Sequence, residues 1–280
     1  MTGLPFIKMH GLGNDFVVLD GRERSLPIGV AEARAIADRR TGVGCDQLLI
    51  LRPARDPAAD VFMEIRNTDG SEAEACGNGT RCVAALVMDQ SGKDAVGVET
   101  VVGVLAAHRG EDGLVSVDMG PAGLEWGDLS LAKCANTLHI DLEDAPLTDA
   151  VGVSMGNPHA VFFVHDAETV ALETVGPQLE THPMFTARAN IEVVSGLGTD
   201  KLRMRVWERS VGITRACGSG ACAVAVAAHR RGLAGRSVEV VLDKGSLFVD
   251  WRDDGHVLMA GPTAHSFAGH LDPALVRLQD

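Results

Sequence analysis

Two short strings hold the most reactive side chains of this chain: Cys76 in CGNGTRC and Cys217 in CGSGAC. In both, a cysteine enters a glycine-rich turn that leads into a small apolar stretch, the pattern of a helix start. A thiol placed there sits at the positive end of the helix dipole, beside N–H groups that have no intrahelical partner. Cysteines in such settings have pKa values of about 3.5 to 7.5 against about 8.5 when free, so the pattern predicts two acidified sulfhydryls. The same N–H groups make anion sites of Gly77 with Asn78 and of Gly218 with Ser219. One thiolate and one thiol on opposite faces of a ligand would suffice to take a proton from an α-carbon and return another on the far side, which is racemase chemistry.

Other uses of the cysteines are less well matched. The spacings of six and five residues within the two strings exceed the two to four of zinc knuckles, and no paired histidines follow, so no metal is expected. Six cysteines, at 45, 76, 82, 134, 217 and 222, are too few in 280 residues for a disulfide scaffold. Cys45, Cys82, Cys134 and Cys222 are expected to be inert, buried thiols.

The two strings belong to an internal repeat. Asn14 precedes Asn157 by 143 residues and Gln47 precedes Asn190 by 143, while Asn67 precedes Glu208 by 141 and Cys76 precedes Cys217 by 141. The matched residues are polar, and polar residues have no core-packing reason to recur, so a shared site is favoured over duplication for stability alone. In each copy a strand-like run (FVVLD, AVFFV) and a later alternating run (VFMEIRN, LRMRVWE) lead through a turn to the cysteine. Helices are then expected over about Gly79 to Asp89 and over Gly220 to Arg231, with Gly232 as a C-terminal stop. Both are small and apolar (CVAALVM, ACAVAVAA), which suits helices buried on every side. The stretch MGPAGLEW, 119–126, reads as a linker. The halves are therefore expected to be 1–120, joined by 264–280, and 121–263.

Symmetry is broken at two places. His159 stands where the first copy has Phe16, and Glu208 where it has Asn67, and a histidine and a carboxylate near a thiol tune its pKa. Arg209 follows Glu208 and could grip a carboxylate through two parallel hydrogen bonds. The total composition excludes some partners. A net charge of -13, without a basic stripe, repels phosphate backbones, so no nucleic acid is expected. No leader pattern opens MTGLPFIKMH and no apolar run is long enough to span a bilayer, so no membrane association and a cytoplasmic location are expected. The five lysines sit in no motif that would hold pyridoxal phosphate.

In order and spacing, KMHGLGNDFVVLD, GVGCDQLL, NTDGSEAEACGNGTRC, GNPHAVFFV, ANIEVV, WER and ACGSGACA resemble the signature segments of diaminopimelate epimerases, from residue 8 to about 228. The resemblance implies an α/β (α+β) fold of two pseudo-symmetric domains, each a curved, mainly antiparallel sheet or barrel wrapped around a central helix, with the active site in the cleft between them. It implies that LL-2,6-diaminopimelate and its meso isomer are interconverted without pyridoxal phosphate or any other cofactor, on the route to lysine and peptidoglycan. The family's catalytic pair falls on Cys76 and Cys217, and its pKa-modulating residues on His159 and Glu208. Its substrate contacts fall on Asn14, Gln47, Asn67, Gly77, Asn78, Asn157, Asn190, Glu208, Arg209, Gly218 and Ser219. A homodimer is also implied. Departures are few: Ser210 and Val211 precede Gly212 after the Glu–Arg pair, and Arg215 stands before Ala–Cys. The alternatives are a proline- or hydroxyproline-type racemase and a non-catalytic thiol redox module.

Overall fold

The computed structural model describes residues 3–276. Internal contacts divide the chain into two units, Met1–Val117 with Gly261–Asp280, and Asp118–Ala260. Residues 277–280 of the segment assigned to the first half lie outside the described residues.

The first unit opens with strand β1 (Leu4–Gly11) and strand β2 (Asn14–Asp20), followed by helix α1 (Val30–Ala37), β3 (Gln47–Arg52), β4 (Val61–Asn67) and the short β5 (Glu72–Ala73). Helix α2 (Gly77–Ser91) comes next, then β6 (Ala95–Thr100), β7 (Gly103–Arg109) and β8 (Val115–Pro121). β1 and β2 are antiparallel, β2 and β3 parallel, β3 and β4 antiparallel, β4 and β6 parallel, and β6 and β7 antiparallel. Strands from across this sheet, β1, β2, β4, β6 and β7, all contact α2. The helix is apolar on nearly every face, and Asn78 to Ala85 are buried without a break, because a helix surrounded by strands has no solvent side to leave polar.

The second unit repeats the plan. It contains β9 (Ile140–Asp141), β10 (Asp149–Ser154), β11 (Pro158–Phe163), helix α3 (Leu172–Glu180), β12 (Asn190–Gly198), β13 (Lys201–Glu208) and β14 (Gly212–Thr214). Helix α4 (Gly218–Arg230) follows, then β15 (Ser237–Leu242), β16 (Gly245–Trp251) and β17 (His256–Gly261). The order of pairings is that of the first unit: β10 and β11 antiparallel, β11 and β12 parallel, β12 and β13 antiparallel, β13 and β15 parallel, β15 and β16 antiparallel. Registers match too. Phe16 lies opposite Gln47 as His159 lies opposite Asn190, and Leu48 opposite Arg66 as Ile191 opposite Trp207. Strand β18 (Ala264–Leu271) then pairs antiparallel with β1, from Leu4 opposite Leu271 to His10 opposite Ala264.

The two central helices start slightly earlier than the spacing suggests, immediately after the cysteines, because each cysteine is itself the cap. α2 ends at Gly92, whose φ of 70° places it in the left-handed region that glycine enters without strain. α4 ends at Arg231, and Gly232, with φ 68°, supplies the left-handed turn that stops it. Ala221 to Ala228 are at most 1% exposed, so small side chains let the surrounding strands approach the helix axis closely. The stretch 119–126 is less of a linker than its glycines imply, since β8 runs on to Pro121 and Gly123 bridges to Ser154.

Helix α3 packs against β13 through Gly176, where an added Cβ would lie 2.6 to 2.8 Å from the Trp207 ring. Trp207 is held from its other end by Glu180, which accepts the indole N–H at 2.7 Å. Glycine inside a helix usually costs about 1 kcal/mol relative to alanine, but a rigid, pinned ring cannot yield, and overpacking costs about 1 to 3 kcal/mol. Gly176→Ala is therefore expected to lower the melting temperature, by about 2 to 4 °C for each kcal/mol lost. A thermal melt that showed the usual glycine-to-alanine gain would contradict this packing.

Candidate active site

In the first unit the candidate residues gather at the start of α2. The Cys76 sulfur caps the helix, accepting the Gly79 N–H at 3.3 Å. Its thiol lies 3.9 Å from the Asn14 side-chain oxygen, which also accepts from Asn78 Nδ2 at 3.1 Å. Asn78 is held in turn by the fully buried Arg81, whose guanidinium donates to its Oδ1 at 2.8 Å. On its other side Asn14 donates to Asp46 at 3.0 Å. Gln47 and Asn67 face each other across β3 and β4, with Gln47 Nε2 donating to Asn67 Oδ1 at 3.1 Å. Asn14, Gln47, Asn67, Gly77 and Asn78 are thus carried by β2, β3, β4 and the first turn of α2, all in one unit.

Asp15 anchors this group. It pairs with Lys8 and with Arg39, the latter at 2.5 Å, and Arg39 also reaches Asp46 at 2.7 Å. Burial pushes the Asp15 carboxyl up, but the hydrogen bonds from Arg39 and Lys8 more than offset it and hold the group down at about 2. Its folded-state pKa is therefore depressed. The resulting stability is fully present above the ordinary value of 3.8 and is lost as the pH falls through about 2.

In the second unit Cys217 caps α4 in the same way, accepting the Gly220 N–H at 3.3 Å, with the Ser219 hydroxyl 3.6 Å from its sulfur. Here the expectation of an acidified thiol fails. Burial pushes the Cys217 thiol well above the ordinary range, the nearby carboxylates of Glu208 and Glu192 push it further, and the Ser219 and Gly220 hydrogen bonds only partly offset them. The helix-start effect is real but smaller than desolvation plus two like-signed neighbours. Glu208 is also shifted upward, first by burial and then by Glu192; Thr214, His159 and a hydrogen bond with Cys217 act the other way.

The remaining candidates of this unit are linked through side chains. His159 is completely buried, with Nδ1 2.7 Å from Glu192 Oε1 and Nε2 2.9 Å from Asn157 Oδ1. Asn190 donates to the Pro158 carbonyl at 3.2 Å and accepts the Arg209 backbone N–H at 2.9 Å. Arg209 lies just past the end of β13, so strand alternation does not govern it, and its guanidinium donates to the Ala187 carbonyl at 3.1 Å. Glu192, buried completely and absent from the sequence expectations, is a member of this cluster. Its signal was a lone acidic residue inside the apolar string ANIEVV. Among the other cysteines, burial raises Cys45 to about 11 and Cys82 to about 12, as befits inert thiols. Cys134 differs from expectation, since it is exposed.

The sequence matches the profile of the family described as diaminopimelate epimerase over residues 6–125 and 151–265. The chain belongs to the diaminopimelate epimerase family. A diaminopimelate epimerase of Rhodospirillum centenum is 59% identical over 271 residues, covering 97% of this chain and 93% of that protein. One from Acidiphilium cryptum is 52% identical over 272 residues, covering 97% of this chain and 98% of the other. A solved structure of a probable proline racemase from Agrobacterium radiobacter superposes with a TM-score of 0.67 at 18% identity, covering 96% of this chain and 94% of that one. That likeness shows a shared mixed α/β fold. Family membership covers both capped cysteines, since each lies within a matched segment.

Two outcomes test the electrostatics of the site. Asp15→Asn is expected to cost about 2 kcal/mol near neutral pH, with the difference from wild type shrinking as the pH approaches 2; a difference that did not depend on pH would refute the assignment. Glu208→Gln removes one of the carboxylates that oppose Cys217 ionisation, so the pH midpoint of Cys217 alkylation, followed by mass spectrometry, is expected to move down. An upward or absent shift would show that Glu208 does not oppose ionisation of the thiol.

Proposed function

We propose that this chain is the enzyme that interconverts LL-2,6-diaminopimelate and meso-diaminopimelate by proton transfer at the α-carbon, using Cys76 and Cys217 as the two acid/base groups. The observation that carries the reading is the repetition of one device: in each unit a cysteine sulfur caps a buried central helix and receives the N–H of the glycine three residues on. Inversion needs two proton-handling groups of equal geometry and opposite approach, and a duplicated cap supplies a matched pair. Family membership supports the substrate.

The environments divide the labour. Cys217 is held in its protonated form by burial and by Glu208 and Glu192, so it enters the cycle as the proton donor. Cys76 is then the base that takes the α-proton. The N–H groups of the first helical turns, with the side chains of Asn14, Asn78, Asn157 and Arg209, stabilise the charge that develops on the substrate carboxylate as the carbanion forms. Gln47, Asn67, Asn190, Gly77, Gly218 and Ser219 complete the substrate contacts, and His159 and Glu208 adjust the cysteine pKa values. Neither pyridoxal phosphate nor a metal has a part in this scheme. The product serves lysine and cell-wall precursor synthesis in the cytoplasm, and the protein acts as a homodimer.

The purified, reduced protein in deuterated water is expected to place deuterium at the α-carbon of diaminopimelate while converting one isomer to the other. Cys76→Ala and Cys217→Ala are each expected to lower kcat by about 10²- to 10⁴-fold, the contribution of a positioned proton-transfer group. A single variant that epimerised at the wild-type rate would eliminate the two-base scheme.

A further inference from the structure

The turn that carries Arg209 is closed in a conformation its own residues disfavour. The Val211 N–H bonds to the Glu208 carbonyl at 3.0 Å, which makes Arg209 and Ser210 the two central residues, and of these only Ser210 has a positive φ, 64°. That is a type II turn, whose second central position is ordinarily glycine or asparagine. A serine there meets the contact between Cβ and the following carbonyl that makes left-handed backbone costly. The competing type I turn keeps the same closing bond and brings Ser210 to negative φ by turning the Arg209–Ser210 peptide over. Such a flip takes Arg209 from extended to helical backbone, and with it changes the rotamers open to its side chain. A contact outside the turn must therefore hold the peptide as it stands.

Glu180 makes that contact. It is the last residue of α3 and is 5% exposed. Its Oε1 accepts the Ser210 N–H at 2.9 Å and the Arg188 guanidinium at 3.4 Å, while Oε2 accepts the Trp207 indole N–H at 2.7 Å. Burial pushes the Glu180 carboxyl up, but the hydrogen bonds from Trp207, Ser210 and Arg188 more than offset it and hold it below the usual carboxylate range, so both oxygens only accept. A flipped peptide would aim the Arg209 carbonyl, in place of the Ser210 N–H, at this carboxylate. Asn190 Oδ1 fixes the peptide before Arg209 by taking its N–H at 2.9 Å, and the peptide after it is left to Glu180. The guanidinium gives an N–H to the Ala187 carbonyl at 3.1 Å, one of the several donors an arginine carries.

The first unit closes its equivalent turn by another route. With the offset of 143, Ala37 at the end of α1 stands in place of Glu180, and with the offset of 141, Thr68 stands in place of Arg209. There a positive φ of 81° falls on Gly70, and Asp69 accepts the Ser71 N–H at 2.9 Å within the turn itself. The carboxylate from the neighbouring helix belongs to the unit whose turn bears the arginine and places a serine in left-handed backbone.

We propose that Glu180 is a positioning residue for Arg209: by accepting the Ser210 N–H it selects the type II turn, which sets the arginine to receive a carboxylate of the substrate. The identity of that ligand rests on the epimerase reading, and the hold on the turn does not. Without an acceptor at this place the peptide turns over, Ser210 leaves left-handed backbone, and the guanidinium loses its setting.

The test separates the two arms of the carboxylate. Glu180→Gln leaves one acceptor oxygen and brings an amide nitrogen to the Trp207 N–H, so the comparison is made beside Trp207→Phe, which removes that donor. E180Q/W207F keeps an acceptor for Ser210 and is expected to hold kcat/KM for diaminopimelate within about threefold of Trp207→Phe. E180L/W207F keeps none and is expected to lose about tenfold or more, the scale on which a small misplacement of a binding group costs rate. Adding Ser210→Gly to E180L/W207F is expected to restore kcat/KM to within about threefold, because glycine holds left-handed backbone unaided. A general loosening of the fold would show no such rescue. In the ligand-free protein the Ser210 amide is expected to exchange with deuterium about tenfold or more faster in E180L/W207F than in E180Q/W207F. If E180L/W207F does not fold, E180D/W207F, whose carboxyl is one methylene short of Ser210, takes its place with the same expected losses. Equal kcat/KM or equal Ser210 exchange with and without the acceptor overturns the proposal, as does a Ser210→Gly change that restores nothing. Wild-type protein that does not turn over diaminopimelate would refute the substrate, and the exchange rates would still decide the hold on the turn.

Discussion

A sulfur that accepts a backbone N–H is a weak hydrogen-bond partner, yet it fixes the direction in which each cysteine can act. The cap ties Sγ to the glycine three residues on, and that glycine lies in a helix enclosed by strands. Side-chain freedom at the cysteine is thereby removed by the packing of the whole unit, since moving the sulfur means moving the helix. Small residues along α4 and the continuous burial along α2 are the other face of this constraint. A tightly packed interior transmits position well because it deforms little.

The same frame is dressed differently in the two units. Around Cys76 the neighbours are amides, Asn14 and Asn78, backed by the buried Arg81 and by the Lys8, Asp15, Arg39 and Asp46 network. Around Cys217 they are carboxyls, Glu208 and Glu192, with His159 between Glu192 and Asn157. A duplicated scaffold gives equal cap geometry, and the electrostatics around the two sulfurs are unequal.

Much of this was readable from residue order. Both helix starts follow from Cys–Gly–x–Gly before an apolar stretch, and the Gly232 stop lies where left-handed backbone is needed; the first helix runs on past Asp89 to Ser91, and its stop at Gly92 was not read. The repeat was visible because polar matches at constant offset survive where apolar ones blur. What escaped depended on burial. The Cys217 shift comes first from burial and then from Glu208 and from Glu192 on β12, and no local pattern reports desolvation. Glu192 was hidden by its apolar neighbours in a strand, and its burial beside His159 appears only in the fold. Cys134 was assigned a buried place from the habits of its residue type, and it lies exposed in an irregular stretch instead.

The pairing of β18 with β1 has a consequence for how the molecule is made. The second unit is continuous in sequence, so every strand it needs has left the ribosome once residue 260 has emerged. The first unit, although its residues are synthesised earlier, keeps one edge of β1 unpaired until residues 264–271 arrive, with Phe267 then closing edge-on against Phe6. Order of synthesis and order of completion are thus reversed, and the half that appears first must wait, with an open strand edge, for the final part of the chain.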